Sequence, residues 1–146
     1  MAQTYFGSAL RSGSGTLTDS TDGGFVVLSQ TTSVSTVAGG TATSATITLP
    51  ASSQIINLIV DMVTVPSFGT ATKVDATIGT AAAGTQYLSA TDVSLVGRTA
   101  LAFTAAQLTS MSDIGANQSV VITIDPNGTV SSQGTFRLTV VYAQKV

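Results

Sequence analysis

"QSVVITIDPNGTVSSQGTFRLTVVYAQK", Gln118 to Lys145, alternates twice. Its first half sets Val120, Ile122 and Ile124 against Val121, Thr123 and Asp125. Its second half sets Phe136, Leu138, Val140 and Tyr142 against Arg137, Thr139, Val141 and Ala143. Successive strand side chains point to opposite faces, so this period of two predicts two half-buried strands, with Tyr142 on the core side. "PNG", Pro126 to Gly128, carries a strong turn signal between them, and Asn127-Gly128 is read as a hairpin turn.

Working back from there, the same pattern recurs. "ATSATITLP" opposes Ala45, Ile47 and Leu49 to Thr46 and Thr48, then stops at Pro50. "GTATKVDATIG" opposes Val74, Ala76 and Ile78 to Lys73, Asp75 and Thr77. "QIINLIVDMVTV" places Ile56, Leu58, Val60 and Met62 on one face and Ile55, Asn57, Ile59, Asp61 and Val63 on the other, so both faces are expected to be partly covered. "GFVVLSQTTSVS" is rich in β-branched residues and could be one strand or two, and "TQYLSATDVSL" reads as a strand and loop. "ALAFTAAQLTSM" is ambiguous: its Ala-rich second half could form a helical turn, its first half a strand. About seven or eight short strands without a long helix predict an all-β fold, an antiparallel β-sandwich or jelly roll. One domain is expected over residues 25–146, preceded by an extended N-terminal arm over residues 1–24. "RSGSGTLTDSTDGG" in that arm shows neither period.

Composition narrows the job. Charged residues are 8% of the chain, while Thr occurs 25 times and Ser 18 times, so hydroxyls replace charges as the main polar groups. A surface with few charges repels its neighbours weakly and tolerates dense packing against other protein. The five basic residues, Arg11, Lys73, Arg98, Arg137 and Lys145, are scattered, so no cluster could neutralise neighbouring phosphates and no direct nucleic-acid binding is expected. The N-terminus has neither a charged n-region nor an apolar core of signal-peptide length, and no apolar run reaches the length of a membrane helix. A chain made in the cytoplasm and kept inside a cell, or released by lysis, with no membrane partner, is the expectation.

Catalytic chemistry is poorly supplied. His, Cys and Glu are all absent, which removes the usual general base, the thiol nucleophile and the commonest metal ligands. Asp61 and Asp75 could in principle form a carboxylate pair on neighbouring strands, but both stand at positions expected to face solvent. Lys73 and Lys145 lie in no nucleophile motif. "DSTDGG", Asp19 to Gly24, lacks the ligand spacing of a calcium loop, and "GTAAAGT" lacks the Lys of a phosphate loop. The sequons at Asn117 and Asn127 have no secretory signal to make use of them. The expectation is a protein that is no enzyme, with no catalytic residue, cofactor or metal.

The order of segments is itself informative. "TITLPASSQIINLIVDMVTV", then "SFGTATKVDATIGTAAAGTQYLSATDVSLVGR", then a closing "FRLTVVYAQ" resembles the small β-sandwich proteins that decorate tailed-phage heads, over about Thr46 to Val146. The resemblance implies a capsid decoration or cement protein, a homotrimer on the exterior of the virion that binds the expanded head and clamps subunits of the major capsid protein. Some such proteins serve instead as bases for head fibres, and a tail-associated host-adhesion module is the alternative. The small-residue middle would then serve close backbone approach in loops or at an interface. Within the arm, Tyr5, Phe6 and Leu10 are the apolar points, and with Arg11 they are the expected capsid contacts.

Overall fold

The computed structural model describes residues 25–112 and 114–145, together with the backbone of Arg11–Ser12 and Gly15–Thr16. Those two dipeptides, β1 (Arg11–Ser12) and β2 (Gly15–Thr16), pair antiparallel. Eight longer strands follow: β3 (Phe25–Ser35), β4 (Thr43–Leu49), β5 (Ser53–Thr64), β6 (Val74–Gly79), β7 (Leu88–Asp92), β8 (Gly97–Thr99), β9 (Gln118–Pro126) and β10 (Thr135–Lys145). A short helix, α1 (Ala105–Ser110), lies between β8 and β9.

The strands form two four-stranded sheets, ordered β3-β10-β5-β8 and β4-β9-β6-β7. Every ladder is antiparallel. The pairs β3·β10, β4·β9, β5·β8 and β6·β7 nest one inside another along the chain. This is one long antiparallel ribbon folded over so that its strands fall alternately into two sheets, and the β10·β5 and β9·β6 ladders close each sheet. That connectivity makes the sandwich a jelly roll.

Alternation explains the core. Phe136, Leu138 and Val140 on β10 face Val120, Ile122 and Ile124 on β9 across the sandwich, all fully buried, and Tyr142 lies among them. On the outer faces hydroxyls meet across the ladders: Thr31 with Thr139 at 3.0 Å, Ser35 with Thr135 at 3.3 Å and Ser44 with Thr123 at 2.9 Å, each pair directly opposite in register. Such pairs stabilise a strand surface without any charge.

Three expectations need correction. On β5 the register skips Ile56, because Val141 pairs with Asn57 and Tyr142 with Ile55. This bulge swaps the faces, so Ile55 is buried and Ile56 exposed. Asp61 does not face solvent; it is buried on the outer face of its sheet. Asn127-Gly128 is no hairpin turn: β9 and β10 belong to different sheets, and residues 127–134 cross between them. The ambiguous stretches resolve as a single strand for Phe25–Ser35 and a helix for Ala105–Ser110.

The small-residue segment after β6 folds back over the outer face of its sheet. Ala83, at a φ of 58°, donates its backbone N–H to Thr123 Oγ1 at 2.8 Å. A Cβ on Gly79 would come within 2.5 Å of the Gly84 carbonyl carbon, and one on Gly84 within 2.9 Å of the Ala81 oxygen. Backbone approach this close requires glycine at both positions.

Candidate functional site

Among the described residues, the charged groups do not converge on a reaction centre. Asp61 sits on β5 and Asp75 on β6, on the outer faces of different sheets, so the sandwich itself separates the two carboxylates. Lys73 Nζ is held 2.6 Å from Asp75 Oδ2, an ion pair that raises the ammonium pKa. Asp61 Oδ1 accepts from Arg98 Nε and its Oδ2 from Arg137 Nη2, both at 3.2 Å. Burial pushes this carboxyl pKa up, but the two guanidinium hydrogen bonds and charges outweigh it and hold it below the usual value. Among the described residues, no group of three or more His, Cys, Asp or Glu is placed to hold a metal ion, and no helix is long and apolar enough to cross a membrane.

The feature that stands out is an exposed apolar surface at the start of β3. Phe25, Val26, Val27 and Leu28 are exposed by 40 to 63%. They occupy an edge, since among the described residues β10 is the only neighbour of β3 in the strand order. Side chains alternate, so this run presents apolar groups on both faces of the strand. Natural edges are commonly blunted by Lys, Pro or inward-pointing charge, and Phe25–Ser35 contains none of these.

Beside this edge lies a groove of about 520 Å³ lined by Phe25, Ile55, Ile56, Leu108, Met111 and Ala143, with Gln54 at its side. Local chemistry builds it. Thr104 and Gln107 form a reciprocal capping box that starts α1, and Gln107 Nε2 ties the helix to Ser89 Oγ at 3.0 Å. The chain leaving α1 then docks on the start of β5: Ile55 N–H donates to the Met111 carbonyl at 2.9 Å and Ile114 N–H to that of Ser53 at 2.7 Å. Leu108 is left exposed over the strand, and the β5 bulge turns Ile56 out beside it. An apolar groove flanked by a strand edge that no other described strand pairs is equipped to bind protein by side-chain burial and strand addition.

Of the residues expected to make contacts, Tyr5, Phe6 and Leu10 lie outside the described residues, as does "DSTDGG". Arg11 is described only through its backbone pairing with Thr16. Phe25 to Leu28, Ile56 and Leu108 carried no functional reading in the sequence. An uncharged, proline-free apolar run was visible there, but its position at an edge depends on the topology.

No protein-family model matches the chain, and no curated protein does either. Among solved structures it is similar to a chain of the cyanophage Pam1 capsid asymmetric unit. The likeness has 20% identity and a TM-score of 0.53, over 98% of this chain and 98% of that one. At that identity, what the two chains share is the fold.

Proposed function

We propose that this chain is a structural virion protein, a decoration or cement protein that binds the exterior of an expanded phage head and clamps neighbouring subunits of the major capsid protein. The observation that carries this reading is the likeness in fold, over nearly the whole of both chains, to a chain of a phage capsid asymmetric unit. Jelly rolls also serve lectins and cupins. The site chemistry favours the structural role: Asp61 is tied to Arg98 and Arg137 and Asp75 to Lys73, and the exposed apolar surface suits a protein partner.

The mechanism requires no reaction. Expansion exposes a shell surface that the unexpanded head lacks, and a clamp that binds that state alone shifts the equilibrium toward it. At a hundredfold excess over Kd each occupied site contributes about 2.7 kcal/mol to the expanded state. The start of β3 and the groove beside α1 supply apolar contact, and Tyr5, Phe6, Leu10 and Arg11 of the N-terminal arm supply further contacts. The functional unit on the head is a homotrimer.

Co-sedimentation tests the reading, using purified full-length protein with phage heads stripped of this chain, both unexpanded and expanded. Saturable binding to expanded heads alone is the expected result. Binding to neither head overturns the cement role and turns attention to a fibre-base or host-adhesion module.

A further inference from the structure

The groove beside α1 and the start of β3 form one apolar surface, and the chain itself arrives there. Phe25 both opens β3 and lines the groove. Around it Phe25, Ile56 and Leu108 are 63%, 52% and 55% exposed. Large apolar side chains gathered in this way mark a binding surface. The lining carries no charge, and Gln54 is its one polar residue. An occupant that suits it is apolar and uncharged.

The arm that precedes Phe25 meets those terms. Met1 to Leu10, "MAQTYFGSAL", has no charged side chain and carries Tyr5, Phe6 and Leu10. These residues lie outside the described residues, but β1 and β2 next to them are described. Arg11 pairs with Thr16 and Ser12 with Gly15, so the chain reverses between Ser12 and Gly15. Traced back from Phe25, the chain runs out through residues 17–24 to this hairpin and is turned around there. Residues 1–10 are as long as that outward run, so the returning segment has the length to reach the groove from which the arm left.

We propose that in the free chain the segment Tyr5–Leu10 docks in the groove of its own molecule, with Tyr5 and Phe6 against Phe25, Ile56 and Leu108. Continued in the hairpin's register, the arm sets Phe6 level with Thr21 and Tyr5 level with Asp22. Those positions stand only about 10–13 Å of extended chain from Phe25. Closing so short a loop costs little entropy, and the contact forms at any protein concentration, which favours the chain's own arm over that of a second copy. The contact goes beyond the head-binding reading and does not rest on it. By that reading, arm and groove exchange this mutual contact for contacts with the shell when the head is bound.

The chain has no Trp, so Phe6→Trp in the full-length protein places a single indole on the arm. The expected result is blue-shifted emission and severalfold weaker quenching by acrylamide than in urea, both unchanged on dilution. Leu108→Glu and Ile56→Glu each put a charge into the groove at an exposed position, where substitution leaves the fold intact. Each is expected to return emission and quenching to the values in urea while the circular dichroism spectrum stays that of the folded chain. Tyr5→Trp, read in the same way, covers the case of an indole too large for the place of Phe6. An indole as accessible as in urea in both tryptophan variants overturns the proposal. Protection indifferent to both groove variants overturns it too, because the arm then docks elsewhere. Protection lost on dilution assigns the groove to the arm of a second copy and overturns docking within one chain. No phage head enters this experiment, so its failure is distinct from a failure of co-sedimentation.

Discussion

Asp61 provides a quantitative test of how the outer face of the β3-β10-β5-β8 sheet is held. Its side chain is 12% exposed, whereas those of Arg98 and Arg137 are 65% and 48% exposed. The three members of this ladder therefore stand in unequal environments, and removing different ones has unequal costs. In Asp61→Asn the two guanidiniums lose their counter-charge but can turn into water. A hydrogen bond to a charged group contributes about 1.5–3 kcal/mol, and solvent screening of half-exposed arginines cuts this to well under 1 kcal/mol for each. The buried position also no longer has to desolvate a charge, so D61N is expected to cost only about 1 kcal/mol. The reverse perturbation, Arg98→Met with Arg137→Met, leaves a mostly buried carboxylate with no counter-ion and costs about 3 kcal/mol, as breaking a buried pair does. Adding D61N to that double variant removes the stranded charge and recovers about 2 kcal/mol. The chain has no Trp, so urea unfolding is followed by far-UV circular dichroism, at one fixed protein concentration because association shifts apparent stability. The pH dependence supplies a sign. The folded pKa of Asp61 is depressed below 3.8, so its contribution is fully present above that value and is lost as pH falls through the lower folded value. The gap between wild type and D61N therefore stays constant down to about pH 3.8 and narrows only below it. The reasoning is refuted if D61N costs as much as the double arginine variant, or if the triple variant is no more stable than the double.

Phe136→Ala empties a fully buried site on the central strand of its sheet and is expected to cost about 3–5 kcal/mol in the same unfolding assay. Gly79→Ala forces a methyl group against the backbone of Gly84; it is expected to destabilise by about 1–3 kcal/mol, with a fall in the urea midpoint at unchanged slope. Val27→Asp places a charge on the exposed β3 edge, so the folded chain keeps its unfolding midpoint within about 0.5 kcal/mol while co-sedimentation with expanded heads falls about tenfold or more. Deleting residues 1–24 should weaken head binding and leave the circular dichroism spectrum of the sandwich unchanged; undiminished binding by the truncated chain would refute a contact role for Tyr5, Phe6, Leu10 and Arg11.

The amino-acid sequence by itself determined the strands and most of their inward faces. Ile47 and Leu49, Val74 and Ile78, Val120 and Ile124, and Phe136 and Tyr142 all point inward as alternation requires, because a strand's side-chain period is a local property of its backbone. The absence of His, Cys and Glu is likewise a property of composition alone, and it removes the usual general base and the thiol nucleophile. Everything that depends on which strand lies beside which required the tertiary structure. The bulge that exchanges Ile55 for Ile56 is a mismatch between β5 and β10, and no periodicity within β5 contains it. Asp61 looked like an ordinary solvent-facing carboxylate until the register brought it between two arginines 37 and 76 residues further along the chain. Phe25 to Leu28 read as an apolar strand in sequence, and an interior strand would have had the same composition. Only the nesting of the jelly-roll ribbon leaves that strand at an edge, with its apolar groups exposed, because burial is decided by neighbours that local sequence does not specify.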